Sequence, residues 1–585
     1  MGFVQPELPV VDQQQWQNSG RSERIRLMAR HWAEVGFGTP VVLHLFYVVK
    51  ICLYILGGWL FALSTSGIDG FTDVGGWWSE PIVFEKAVLY TMLFEVIGLG
   101  CGFGPLNNRY FPPMGSILYW LRPGTIRLPP WPRVVPLTRG TARTPVDAAL
   151  YALLLVVLLW ALLSDGTGPI PALDTTVGLL PAWQVGLIVA VLAVLGLRDK
   201  VIFLAARGEV YGSLAVAFLF GGADAILAAK LVFVVIWMGA ATSKLNRHFP
   251  FVVSTMMSNS PIVRPRWLKR RFFADFPDDL RPGWLSRFVA HSGTAVEMCA
   301  PIVLFFSHGG RPTAVAAVIL LCFHLAILTA IPMGVPLEWN VFMMFGLGVL
   351  FVAHADIGFA DATHPWLPVL LFAVLVAIVI TGNLLPSRIS FLPGMRYYAG
   401  NWDTTVWCVK PSAAQKIDRN IVAIASMPQA QMERYYGKDR AQIPLYLGYA
   451  FRAMNTHGRA LFTLVHRAMP AGREDEYTIT DGERICSTAI GWNFGDGHMH
   501  NEQLIAALQQ RCHFEPGEVR VVLLDAQPIH TQVQAYRLVD AATGEFERGT
   551  VRVADMVESQ PWADDLPVHV TSTAGPAVTD SHPAP

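Results

Sequence analysis

Ten apolar runs fill the first two thirds of the chain, and their lengths predict membrane-crossing helices. They cover about 40–62, 82–103, 146–164, 178–196, 203–221, 225–243, 287–307, 313–333, 339–354 and 366–383. A helix needs ~20 mostly apolar residues to cross the hydrocarbon layer, where each unpaired backbone amide costs several kcal/mol. The fifth run contains Arg207 and Glu209, and the turn residues Gly221, Gly222, Ala223 and Asp224 separate it from the sixth. These two are expected to form a hairpin. Beyond Leu384 the periodicity changes. Residues 443–469 and 502–512 predict helices, with Asn501 capping the second, and Val519–Leu524, Thr531–Leu538 and 546–554 predict strands. The expected fold class is an all-α polytopic transmembrane helix bundle with a C-terminal mixed α/β cytoplasmic domain.

The loops add an orientation. Arg21, Arg24, Arg26 and Arg30 precede the first run. Arg109, Arg122, Arg127, Arg133, Arg139 and Arg143 lie in the loop 104–145, and Lys244, Arg247, Arg264, Arg266, Lys269, Arg270, Arg271 and Arg281 in the loop 244–286. The alternate loops carry Asp69, Asp73, Asp165, Asp174, Asp356 and Asp361, with Arg311 as their one basic residue. This positive-inside pattern is expected to place both termini on the cytoplasmic side of the membrane. The expected organisation is an amino-terminal segment 1–39, a bundle 40–384, a linker 385–401, a cytoplasmic domain 402–570 and a disordered tail 571–585. Residues 1–20 are polar and lack the apolar core of a cleaved signal peptide, so the first run is expected to stay as an anchor.

Composition agrees with membrane residence. Of 585 residues, 53% are hydrophobic and only 15% charged, with mean hydropathy +0.39; soluble domains carry about 25% charged residues. The 44 basic residues balance 44 acidic ones, so no nucleic-acid partner is expected. Seven scattered cysteines match neither a zinc pair nor a disulfide framework. Glycines 98, 100, 102 and 104 lack the Lys-Ser/Thr of a phosphate loop and predict close packing at a helix end.

Candidate chemistry lies in three places. The first is the set of ionisable residues at membrane depth: Lys50, Glu95, Lys230, Glu297 and His324, with Glu85, His44 and His291 also inside runs and Glu338 and Asn340 opening the ninth. Such groups are expensive to expose to lipid and face a bundle interior or an aqueous cavity. Lys50 or Lys230 is expected to pair with Glu95 or Glu297. Glu85 and Glu95 stand ten residues apart, roughly 15 Å along a helix, too far to act as one carboxylate pair. The second place is Arg264, Arg266, Lys269, Arg270 and Arg271 beside Phe272, Phe273 and Phe276, which suits anionic headgroups; each basic residue near the surface is worth about 1 kcal/mol. The third is Asp496, His498, His500 and Glu502, a candidate metal-ligand set, although capping of the 502–512 helix accounts for the same residues. Trp120 and Trp131 within the proline-rich loop suit the headgroup layer.

The length, the proline-rich inner loop, the RRFFADFPDDLRP segment at 270–282 and the GWNFGDGHMHNEQL segment at 491–504 resemble a bacterial, largely actinobacterial family of multi-pass membrane proteins of unknown function. A looser similarity, in helices with internal lysine and histidine, links the bundle to the membrane module of vitamin-K-dependent carboxylases and carries no catalytic residue over. The sequence names no reaction and no cofactor. Three functions fit: binding or processing of a lipid or other amphipathic substrate, a scaffold or accessory subunit of a membrane complex, and a proton- or ion-coupled transporter. The expected partners are membrane lipids and, for the scaffold reading, a membrane protein complex.

Overall fold

The computed structural model describes residues 2–100, 117–330 and 337–573. Six helices in it are long and apolar enough to cross a membrane: Val41–Leu63, Pro145–Leu162, Gly222–Ser243, Trp284–Ser307, Gly310–Ala330 and Trp366–Leu384. Gly222–Ser243 is buried along almost its whole length and packs against Trp284–Ser307 and Trp366–Leu384. The outer helices keep broad apolar faces open, as in Leu45, Val48, Val49 and Leu53 of the first. Such faces are stable when lipid covers them.

The other expected runs are shorter. Pro81–Val96 and Ala182–Arg198 are helices of 16 and 17 residues, and Leu337–Leu347 continues into a wide π-type turn over Gly348–Ala353. The ends of the second and eighth runs, residues 101–103 and 331–333, lie outside the described residues, as does part of the loop 104–145. The fifth run is not a continuous helix. It divides into Lys200–Ala205, a π-type turn at Gly208–Gly212 and Ser213–Phe218, with Arg207 at φ 52° in the break. An ionisable pair at membrane depth is accommodated there by bending the backbone around it.

The carboxyl-terminal region is built on a six-stranded antiparallel sheet in the order β4-β3-β5-β6-β7-β8: Thr478–Asp481 (β4), Thr404–Val409 (β3), Val519–Leu524 (β5), Val533–Asp540 (β6), Gly544–Arg552 (β7) and Val568–Thr573 (β8). Alternation along the strands sends side chains to two cores. Val406, Cys408, Val522 and Leu524 pack under the Thr456–Ala468 helix, while Trp407, Val409, Val521 and Leu523 share a core with residues of Gly482–Ile490 and Glu502–Cys512. The 502–512 helix and the 519–524 strand lie where the sequence places them, and Asn501 accepts from the Gln503 amide as the cap. The stretch 443–469 is two helices, Gln442–Met454 and Thr456–Ala468, hinged at Asn455. Residues 571–573 extend β8 rather than begin a tail, and the remainder of the expected tail lies outside the described residues.

Bundle and sheet region are joined by several segments. The Arg21–Val35 helix packs on Gln442–Met454, where Trp32 meets Phe451 at 5.3 Å between ring centroids. Residues 385–401 are no open linker, because Phe391, Leu392, Met395 and Arg396 are buried. Trp120 is also buried and donates to the Ile490 carbonyl at 3.0 Å, so only Trp131 of the two loop tryptophans is exposed. Gly482 sits where β4 turns into the Gly482–Ile490 helix, and a Cβ there would overlap Thr405 Oγ1 and His500 Nδ1. Gly482→Ala is therefore expected to lower stability by about 1–3 kcal/mol, read as a drop in the thermal midpoint of the purified protein; an unchanged midpoint would show that the contact relaxes freely.

Candidate functional site

The polar residues at membrane depth converge on the first turn of the Leu337–Leu347 helix, where three consecutive side chains reach three different neighbours. Glu338 forms an ion pair with Lys50, which also donates to the Gly100 carbonyl at 3.1 Å. Glu95 lies against Gly100, whose missing Cβ leaves the room its carboxylate occupies. Trp339 stacks on the Arg207 guanidinium at 4.5 Å. Asn340 Oδ1 meets His324 Nδ1 at 2.8 Å, while His324 Nε2 faces Trp237 Nε1 at 3.0 Å. An indole N–H can only donate, so His324 accepts at Nε2, carries its hydrogen on Nδ1 and donates to Asn340. Both ring nitrogens are thereby engaged.

Glu297 is paired with Lys244, and Lys50 with Glu338. Lys230 stands apart from the cluster. Its ammonium donates to the Ala355 and Ile357 carbonyls at 3.3 and 2.6 Å, beyond the far end of the Leu337–Leu347 helix. Lys50 and His324 thus meet the first turn of Leu337–Leu347, Glu95 lies beside the Gly100 that Lys50 bonds, and Glu297 and Lys230 are engaged elsewhere. The structure adds three residues to this turn: Glu338 and Asn340, which in the sequence only open the ninth run, and Arg207, which only interrupts the fifth. The shared signal was the polar-aromatic triplet Glu338-Trp339-Asn340 at the start of an apolar helix. Arg207 is held on both sides, by Glu209 at 2.7 Å and by the rings of Trp339 and Phe494, the latter at 4.9 Å. Stacking of this kind suits the weakly hydrated guanidinium.

The metal set does not assemble. Asp496 accepts from Ser390 and from the His498 amide, His500 Nδ1 meets Thr405 at 2.7 Å, and Glu502 pairs with Arg537. His498 Nε2 faces the Pro386 carbonyl at 2.9 Å and Asp403 at 3.3 Å. Among the described residues, no three His, Cys, Asp or Glu side chains are placed to hold a metal ion. The four residues instead tie the 491–504 segment to the sheet and to the chain leaving the bundle. Burial opposes ionisation of Asp403, yet His498 and Arg396 beside it hold its carboxyl down to about 2. Burial likewise opposes protonation of His498, and Asp403 raises it above the usual histidine value.

The basic loop gives a different result. A short hairpin, Phe273–Asp275 (β1) with Asp279–Pro282 (β2), leads into the Trp284–Ser307 helix. Between them lies a cleft of about 660 Å³ lined by Arg270, Arg271, Arg287, Trp284, Phe276 and Asp275 together with hairpin backbone. Gly283 closes the turn, since a Cβ there would press on the Phe273 carbonyl at 2.6 Å. Arg270 is paired with Glu34 at 2.5 Å and stacked on Phe276 at 4.9 Å. Among the described residues no carboxylate lies within ion-pairing distance of Arg271 or Arg287; Arg271 rests on Trp267 at 5.6 Å. The other candidates are used elsewhere. Arg264 donates to the Pro261 carbonyl at 3.1 Å, Arg266 pairs with Glu7 at 3.3 Å, and Lys269 is buried against the Ser258 carbonyl at 2.5 Å. Arg287 and Trp284 were not selected from sequence, where Arg287 opens an expected run and Trp284 closes an expected loop; only the hairpin brings them to the basic cluster.

A family model described as a transmembrane protein of unknown function (DUF3556) matches residues 1–571. The chain belongs to this family. Its membrane character agrees with the six long apolar helices, and the match covers both the bundle and the sheet region. No curated protein and no solved structure matches the chain. Membership in DUF3556 supplies no substrate, so chemistry must be argued from the geometry.

Proposed function

We propose that this DUF3556 protein binds an anionic lipid, with the headgroup seated in the Arg270–Arg271–Arg287 cleft at the cytoplasmic surface of the membrane. One observation carries the reading: two guanidiniums without carboxylate partners among the described residues face a cleft at the start of a spanning helix, flanked by Trp267 and Trp284, which are 61% and 69% exposed. Arginine binds phosphate oxygens in a bidentate fork, and tryptophan belongs at the membrane–water boundary. The basic loops support the cytoplasmic assignment through the positive-inside rule. The buried ionisable residues favour a packing role, because Lys50, Glu297, His324 and Lys230 are each engaged by neighbours.

The test is lipid binding by the full-length protein in detergent, measured by native mass spectrometry. Arg271 and Arg287 at about 1 kcal/mol each give roughly a 30-fold weaker affinity for phosphatidylglycerol in the double variant Arg271→Ala/Arg287→Ala. Binding of zwitterionic phosphatidylcholine should barely change. Equal phosphatidylglycerol affinity in the wild type and the double variant would remove the reading.

A further inference from the structure

The Trp284–Ser307 helix runs on from the cleft, whose lining includes its Trp284 and Arg287, and the order of residues on its exposed face is unusual for a surface turned to lipid. At 100° per residue, Trp284, Phe288, His291, Ala295, Ile302 and Phe306 fall in one stripe, with Ser292 and Cys299 at its margin. The stripe is exposed: Trp284 is 69%, Phe288 63% and Phe306 70% open, and His291, Ser292, Ala295 and Cys299 are exposed as well. The opposite face, including Ser286, Ala290, Thr294, Glu297 and Leu304, is buried in the bundle. His291 and Ser292 therefore present hydrogen-bonding groups outward, midway between an aromatic boundary and an apolar upper half. Polar side chains inside a span normally turn inward.

Their depth identifies what they meet. His291 lies four residues beyond Arg287, a rise of roughly 6 Å. Each polar layer of a bilayer is only about 5–8 Å thick, half the difference between the full thickness and the hydrocarbon core. With Trp284 and Arg287 at headgroup level, His291 and Ser292 reach the base of that layer, where a glycerophospholipid carries its ester carbonyls. Above them the exposed face carries the small side chains of Ala295 and Cys299, then the larger apolar Ile302, Val303 and Phe306.

We infer that the ligand of the cleft is an ester-linked glycerophospholipid lying along this face: its phosphate meets Arg271 and Arg287, its ester carbonyls accept from His291 and Ser292, and an acyl chain follows Ala295 and Cys299. This rests on the anionic-lipid reading and adds the lipid class and its direction. A headgroup alone, without ester and chain, would engage only the lower third of the stripe.

The experiment compares three probes on the full-length protein in detergent: diacyl phosphatidylglycerol, its dialkyl ether analogue, which lacks the carbonyls, and glycerol phosphate. The wild type is expected to bind the diacyl lipid about fivefold more tightly than the ether lipid, the scale of one or two net hydrogen bonds, and glycerol phosphate far more weakly than either. His291→Leu/Ser292→Ala should abolish the ester preference and keep the ether affinity. Arg271→Ala/Arg287→Ala should weaken both lipids together and keep the preference. Equal binding of ester and ether lipids by the wild type overturns the inference, as does an ester preference that survives in His291→Leu/Ser292→Ala. Glycerol phosphate binding as tightly as the lipid overturns it too, and so does efficient disulfide cross-linking of two copies through Cys299 in membranes, since protein would then cover the face. If the arginine variant leaves both lipids bound normally, the anionic-lipid reading itself has failed, which is a separate result.

Discussion

Lys50→Met is expected to lower the stability of the folded protein by about 3–5 kcal/mol, because it strands the Glu338 carboxylate without its cation. Glu338 is wholly inaccessible and Lys50 nearly so, and the pair joins the Val41–Leu63 helix to the first turn of Leu337–Leu347. Desolvating two charges costs several kcal/mol per ion, so the pair as a whole contributes little net stability. Removing one partner is a different matter, since the other keeps its desolvation cost and loses its attraction. The double variant Lys50→Met/Glu338→Leu should therefore recover most of what the single variant loses. Thermal unfolding in detergent, followed by intrinsic fluorescence, reads both effects. Single variants that melt with the wild type, or a double variant no better than its parents, would contradict the assignment.

A second large effect is expected on acidification, from histidines buried as neutral rings outside the spans. Burial pushes His500 down to about 3 and His248 down to about 4, and it also holds His457 well below the usual value. His248 is fully enclosed, facing Thr456 at 2.5 Å and Gln527 at 2.7 Å, and it links the chain after Gly222–Ser243 to the sheet region. In the unfolded chain each of these rings takes a proton near pH 6.5. Between that pH and its folded value, the unfolded state holds more protons than the native one, so stability falls as pH falls. Each such histidine contributes a slope approaching 1.4 kcal/mol per pH unit.

His498 works in the opposite sense but in another window. Its raised value gives a stabilising contribution that is complete below pH 6.5 and fades as pH rises through the folded value, so it does not offset acid loss below 6.5. Asp403, held down to about 2, adds acid lability only below its unfolded value near 4. The thermal midpoint should accordingly be near its plateau at pH 7 and drop steeply between pH 6.5 and 5. His248→Gln should flatten that slope even if it lowers the plateau. A midpoint constant across this range would mean that these rings exchange protons freely with solvent.

Several features of the molecule could be read directly from local sequence. The apolar runs predict helices because an amide in hydrocarbon must bond within its own segment, and this requirement does not depend on what the helix packs against. The Asn501 cap and the Val519–Leu524 strand were legible for a similar reason, since capping and alternation are short-range. Failures came where a residue's role depends on a distant neighbour. Lys230, expected to pair with Glu95 or Glu297, instead donates to the backbone carbonyls of Ala355 and Ile357. Trp120, expected at the headgroup layer, instead buries its indole against residues 370 positions away.

The candidate headgroup site shows the same division at smaller scale. Clustered basic residues between 264 and 271 pointed to the loop that forms the cleft, but their side chains separate three ways: inward to Ser258, sideways to Glu7 and Glu34, and openly into the cleft. Arg287 joins Arg271 only because the β1–β2 hairpin folds the loop back onto the helix start.

Sequence alone determined that this chain belongs in a membrane and where charge gathers between its apolar runs, since each follows from solvation of a segment by itself, whereas which of the ten runs form long unbroken helices did not follow from it. Which lysine meets which glutamate, which arginines stay unneutralised and which histidines lose contact with water were decided by tertiary structure. Electrostatic pairing acts over a few ångströms in space, and residues brought within that reach stand anywhere from two to several hundred positions apart along the chain.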